Sequence, residues 1–102
     1  MKYQLILQWP ASSIEDYDAM IAVENAVTEM LPEDSEVDGH DAGSGEVNIF
    51  IKTTEPARVF NSLKSMLTAS GLLASARIAF REELNPEYTI LWPYGLETFK
   101  VT

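Results

Sequence analysis

Asp38, His40, Asp41 and Glu46 are the residues whose types and spacing come closest to chemistry. They lie in the segment 36–52, which reads Glu-Val-Asp-Gly-His-Asp-Ala-Gly-Ser-Gly-Glu-Val-Asn-Ile-Phe-Ile-Lys and contains the single histidine of the chain. If its first half is a strand, alternation puts Asp38 and His40 on one face. An imidazole nitrogen and a carboxylate oxygen then converge, as a divalent metal or a base oriented by an acid requires. One histidine without a second, distant ligand does not make a closed zinc site. Turn chemistry alone also accounts for the aspartates and glycines: Asp41 and Glu46 then flank a solvated turn, and His40 hydrogen-bonds a neighbour.

Arg77 and Arg81 form the second constellation. Four residues apart on a strand, they share a face and could grip a carboxylate or phosphate through paired hydrogen bonds. With sixteen acidic residues in the chain, neutralising Glu36, Asp38, Glu82 or Glu83 is the plainer role. The backbone amides of Gly43-Ser44-Gly45 could form an anion-binding nest, but the segment opens no helix and lacks a phosphate-loop lysine, so it reads as a hairpin turn. Trp92-Pro93-Tyr94, an aromatic cluster at a turn, could anchor another chain or pack internally. No serine or threonine stands in a recognisable triad arrangement.

The elements that must position these residues are legible from periodicity. Val47, Ile49 and Ile51 alternate with Asn48, Phe50 and Lys52, as in a strand with one buried face. Residues 3–9 do likewise, with Tyr3, Leu5, Leu7 and Trp9 against Gln4, Ile6 and Gln8, and Pro10 should end that strand. Ser12 and Ser13 stand three residues before Glu15 and Asp16, a capping-box spacing. Ile14, Tyr17, Met20, Ile21, Val27, Met30 and Leu31 then predict an amphipathic helix from about 14 to 31, closed by Pro32. Pro56 suits a first helical turn, and Val59, Phe60, Leu63, Met66 and Leu67 mark a second buried stripe ending at Gly71. The methionines on these stripes read as core filling. A further strand spans about 75–82, setting Ala76, Ile78 and Phe80 against Arg77, Ala79 and Arg81.

The order strand, helix, strand, strand, helix, strand predicts an α+β fold, a ferredoxin-like βαββαβ two-layer sandwich with both helices on one face of an antiparallel sheet. Right-handed crossovers place the first strand between the third and fourth. A C-terminal extension, residues 83–102, adds a β-prone run at Tyr88–Trp92 and a short extended piece at Phe99–Val101. The sheet face away from the helices would carry Gln4, Ile6, Gln8, Asn48, Phe50, Lys52, Arg77 and Arg81, with Glu36, Asp38 and His40 from the edge. Either the extension, through Tyr88, Leu91 and Trp92, or a partner should cover it.

The 102 residues make one domain, since two cores of half that size would each be too small. A net charge of −9 repels phosphate backbones and argues against nucleic acid, and Phe50 alone is too little of a base-stacking sheet. Without cysteine, disulfides and thiolate chemistry are excluded. No signal peptide and no apolar run of membrane-spanning length is evident, so a cytoplasmic location and no membrane partner are expected.

Gly39-His40-Asp41-x-Gly43-x-Gly45-x-x-Asn48-x-Phe50-Ile51, with Leu91-Trp92-Pro93, resembles a pattern in small uncharacterised bacterial single-domain proteins. The resemblance implies a stand-alone domain, in some cases similar to immunity proteins that bind a toxin, and conveys no catalytic residues. The expected function is a non-enzymatic binding domain without cofactor, whose partner is a protein or a second copy in a homodimer. Its candidate contact residues are Asp38, His40, Asp41, Glu46, Phe50, Arg77, Arg81 and Trp92. The competing expectation is a small enzyme or metal-dependent binder built on Asp38, His40 and Glu46 with Arg77 and Arg81.

Overall fold

The computed structural model describes residues 2–13, 17–43, 45–99 and 101. Along the chain run β1 (Tyr3–Pro10), a 3-10 turn (Ala11–Ser13), α1 (Tyr17–Met30), β2 (Glu36–Gly43), β3 (Glu46–Thr53), α2 (Pro56–Ala69), β4 (Arg77–Glu82) and β5 (Thr89–Trp92). The architecture is mixed α+β: two helices and one five-stranded antiparallel sheet of order β2-β3-β1-β4-β5. β1 lies between β3 and β4, and β2 forms one edge. The fifth strand, β5, comes from the β-prone run expected in the C-terminal extension and lies beyond β4, which widens the four-stranded layer of the first six elements.

β1 is the centre because it is buried on both faces. Leu5, Leu7 and Trp9 turn toward the helices, Ile6 and Gln8 turn away, and all five are buried. Leu7 stands between Ile49 of β3 and Ile78 of β4, so each ladder adds an aliphatic side chain to the same layer. Burying a leucine or isoleucine fully contributes about 1.5–3 kcal/mol.

α2 closes that layer with Val59, Phe60, Leu63 and Leu67, buried at helical spacing behind Pro56 in its first turn. Gly71, at φ +73°, ends the helix region and lets the chain double back. The amides of Leu72 and Leu73 both donate to the Leu67 carbonyl, at 2.9 and 3.2 Å. Two tryptophans then hold this reversal: the Trp9 indole N–H donates to the Leu72 carbonyl at 2.8 Å, and that of Trp92 to the Leu73 carbonyl at 2.9 Å.

α1 contributes Met20 and Val27 to the core, with Ala19, Ile21, Val23 and Leu31 half-buried against it. Met30 is 40% exposed rather than core filling, because the helix ends there over the edge of the sheet. The capping box expected at Ser12, Ser13, Glu15 and Asp16 lies partly outside the described residues, as does Ser44 in the hairpin turn.

The face away from the helices is not bare. Ile6, Gln8, Asn48 and Ala79 are buried on it, and the Gln8 side-chain amide donates to Asn48 Oδ1 at 3.0 Å. The Arg81 guanidinium lies 5.9 Å from the Tyr88 ring, which lies 4.9 Å from that of Phe99, bringing the C-terminal segment to this side. Trp92 and Leu91 do not join it. A register shift between Ile78 and Ala79 sets Trp92 opposite Ile78, on the helix side, where its ring centroid is 6.4 Å from that of Phe60. Among the described residues, nothing after Trp92 is a strand, and the extended piece expected at Phe99–Val101 lies partly outside the described residues.

Candidate functional site in the cleft between α1 and β2

One glycine decides where the polar residues of β2 point. Glu36 pairs with Lys52 and Val37 with Ile51, but Gly39 pairs with Phe50 and His40 with Ile49, leaving Asp38 as the extra residue of a β-bulge. Gly39 takes φ +126°, a conformation that L side chains rarely adopt. The alternation therefore reverses at the bulge. Asp38 and His40 do not share a face, contrary to the strict period of two: Asp38 reaches Lys52 Nζ at 3.8 Å, while His40 turns toward the helices.

There His40 meets Glu24 of α1, with Nδ1 2.8 Å from Oε2. An ionised Glu24 only accepts, so the Nδ1–H donates. The two side chains are 29% and 18% exposed, a half-sheltered pair on the wall of an open cleft. The cleft has a volume of about 490 Å³, with Thr28 and Leu31 on the helix side and Glu36, Val37 and Gly39 on the strand side. It exists because α1 leaves the outermost strand incompletely covered.

Acids continue beyond its mouth. Glu33 and Asp34 precede β2, and Asp38 and Asp41 lie along it, all exposed. The Thr54 hydroxyl donates to Asp34 and holds its carboxyl below the usual carboxylate range, with Ser35 and Lys2 adding to that effect.

The other candidates are dispersed. Glu46 stands 4.0 Å from Arg77 at the far end of the hairpin, so Arg77 neutralises an acid within the domain. Arg81 donates to Gln4 Oε1 at 3.0 Å and to the Glu83 and Asn85 carbonyls, fixing the β4–β5 connection. Arg77 and Arg81 thus have separate internal partners. Phe50 is half-buried on the face away from the helices, and Trp92 packs on the opposite edge of the sheet from the cleft. Among the described residues no three His, Asp or Glu side chains gather as metal ligands would, so Asp38, His40 and Glu46 form no common centre.

Glu24 is the contact that reading along the strand missed. Sixteen residues separate it from His40, and only the Gly39 bulge brings them together. The available signal was a glycine inside a strand, which marks bulges. No helix of the described residues is long and apolar enough to cross a membrane. Compared with family models, curated proteins and solved structures, the chain matches none.

Proposed function

We propose that the protein is a non-catalytic interaction domain, an elaborated ferredoxin-like sandwich that binds a basic, extended protein segment along β2. The observation that carries this reading is the cleft walled by Glu24, Glu36 and His40 beside an eight-residue edge strand. An edge strand offers outward amides and carbonyls to a further strand, and alternate side chains of that strand would drop between β2 and α1. Lysine or arginine stems suit such a cleft, because Val37 and Leu31 can cover their methylenes while Glu24 faces their charges and Glu36 adds negative charge at the rim.

Charge also selects between a foreign partner and a second copy. β2 carries Glu36, Asp38 and Asp41, so two β2 strands laid edge to edge would juxtapose like charges. Acids on the strand therefore discourage self-pairing while favouring a basic ligand. A catalytic reading would need Asp38, His40 and Glu46 to converge, and their placement gives it no support.

The test is titration with an alternating Lys-Val octapeptide, followed through backbone amide shifts. Saturable shifts along 36–43 that weaken with salt support the reading. Shifts confined to the other sheet face would overturn it, and a concentration-dependent dimer protecting the same amides would assign the edge to a second copy.

A further inference from the structure

At the edge of the sheet opposite the cleft, three rings converge on one cation. Lys64 Nζ lies 5.9 Å from the ring centroid of Phe60, 5.3 Å from that of Trp92 and 5.7 Å from that of Tyr94. All three distances are within the range of cation–π attraction. The rings also brace one another: Trp92 and Tyr94 meet edge to face at 5.2 Å, and the Trp92 indole is tied to the Leu73 carbonyl. Phe60 is buried, whereas Tyr94 is 77% exposed, so the cluster has a fixed floor and an open side.

Lys64 differs from Lys2 and Arg81, which among the described residues also lack an ion pair but donate hydrogen bonds to carbonyl or amide oxygens. Sixteen carboxylates are available to seven basic residues, yet Lys64 makes no ion pair among the described residues. Its head is held by aromatic faces alone. A primary ammonium is strongly hydrated through three N–H groups. A methylated ammonium loses that hydration but keeps its charge, and aromatic clusters are the recurrent binding surface for such cations. Beside Trp92 an open hollow of about 240 Å³, lined by Thr68, Gly71, Leu73 and Ala74, offers mainly apolar surface to an aliphatic stem.

We propose that Phe60, Trp92 and Tyr94 form a binding site for a quaternary ammonium carried on an aliphatic stem, and that Lys64 is its built-in, displaceable guest. Lys64 sits on α2 with four rotatable bonds, so it can swing to solvent without moving the backbone. This site is independent of the β2 cleft.

The experiment is titration of the intact chain with tetramethylammonium chloride against sodium chloride and ammonium chloride at equal ionic strength, reading the Trp92 indole N–H and Tyr94 ring signals by NMR. Saturable shifts with tetramethylammonium only are expected. Lys64→Ala should bind about two- to fivefold tighter, because the competing internal guest is gone, and Tyr94→Ala should bind more weakly than wild type. Both substitutions are at solvent-accessible side chains, and unchanged backbone amide shifts of β1 and β3, away from the cluster, in the free proteins would show the fold intact. Equal responses to ammonium, no saturable shift, or no gain in Lys64→Ala would overturn the proposal. N-acetyl-trimethyllysine amide and phosphocholine, compared on Lys64→Ala, identify whether a side chain or a headgroup is the better source of the ammonium.

Discussion

His40 Nδ1 and Glu24 Oε2 lie 2.8 Å apart although sixteen residues separate them, and this contact links α1 to the outermost strand of the sheet. Because both groups keep some solvent exposure, the pair is worth little as stability. A double-mutant cycle with His40→Ala and Glu24→Gln is expected to give a coupling of about 0.2–1 kcal/mol in denaturant unfolding. A coupling indistinguishable from zero would remove the pair as a tie between helix and strand.

Charge reversal on the strand should be felt by the ligand more than by the fold. Glu36→Lys is expected to weaken binding of the Lys-Val octapeptide about fivefold or more at low salt, with unfolding free energy changed by less than about 0.5 kcal/mol. Isothermal titration at two salt concentrations checks the first part and urea denaturation the second.

The bulge depends on Gly39. Replacing it with alanine meets no neighbouring atom, so crowding is not the cost; the backbone at φ +126° is. Gly39→Ala should destabilise the protein by about 1–3 kcal/mol or shift the β2 register. Urea unfolding measures the first outcome, and loss of the His40–Glu24 contact by NMR detects the second.

Asp34 provides an acid-side signature. Its carboxyl is held below 3.8, chiefly by the Thr54 hydroxyl, so the folded state binds this proton less readily than the unfolded chain. The associated stabilisation is fully present above the unfolded value and is lost as pH falls through the folded one. In an NMR titration Asp34 should show a midpoint below 3.8, and Thr54→Val should move it upward. An unchanged midpoint in that variant would show that the hydroxyl is not the cause.

Burial separates two leucines sharply. Leu63 is wholly buried between α2 and the sheet, and Leu84 is fully exposed in the β4–β5 connection. Leu63→Ala should cost about 2–5 kcal/mol in unfolding free energy, and Leu84→Ser less than about 0.5 kcal/mol. Comparable losses for both, measured by urea unfolding, would contradict the packing described here.

The elements with clean periodicity were readable before the structure. β1, β3 and α2 announce themselves through Leu5, Leu7 and Trp9, through Val47, Ile49 and Ile51, and through Val59, Phe60, Leu63 and Leu67, because the face each turns to the core is uniformly apolar. The polar residues were misplaced where the period breaks. A bulge at Gly39 turned His40 away from Asp38, and a second register shift at Ile78 turned Trp92 toward the helices. Such shifts arise from pairing between strands, so alternation along one strand cannot reveal them. Glu24 escaped notice for a related reason: on an amphipathic helix it reads as one more solvated acid until the neighbouring strand is in place.

The two indoles hang from adjacent carbonyls, those of Leu72 and Leu73. Tryptophan fluorescence from this protein therefore watches a single short stretch of backbone through two chromophores. Fraying there would alter both signals together, while events at the distant His40 rim would pass without a trace in tryptophan emission.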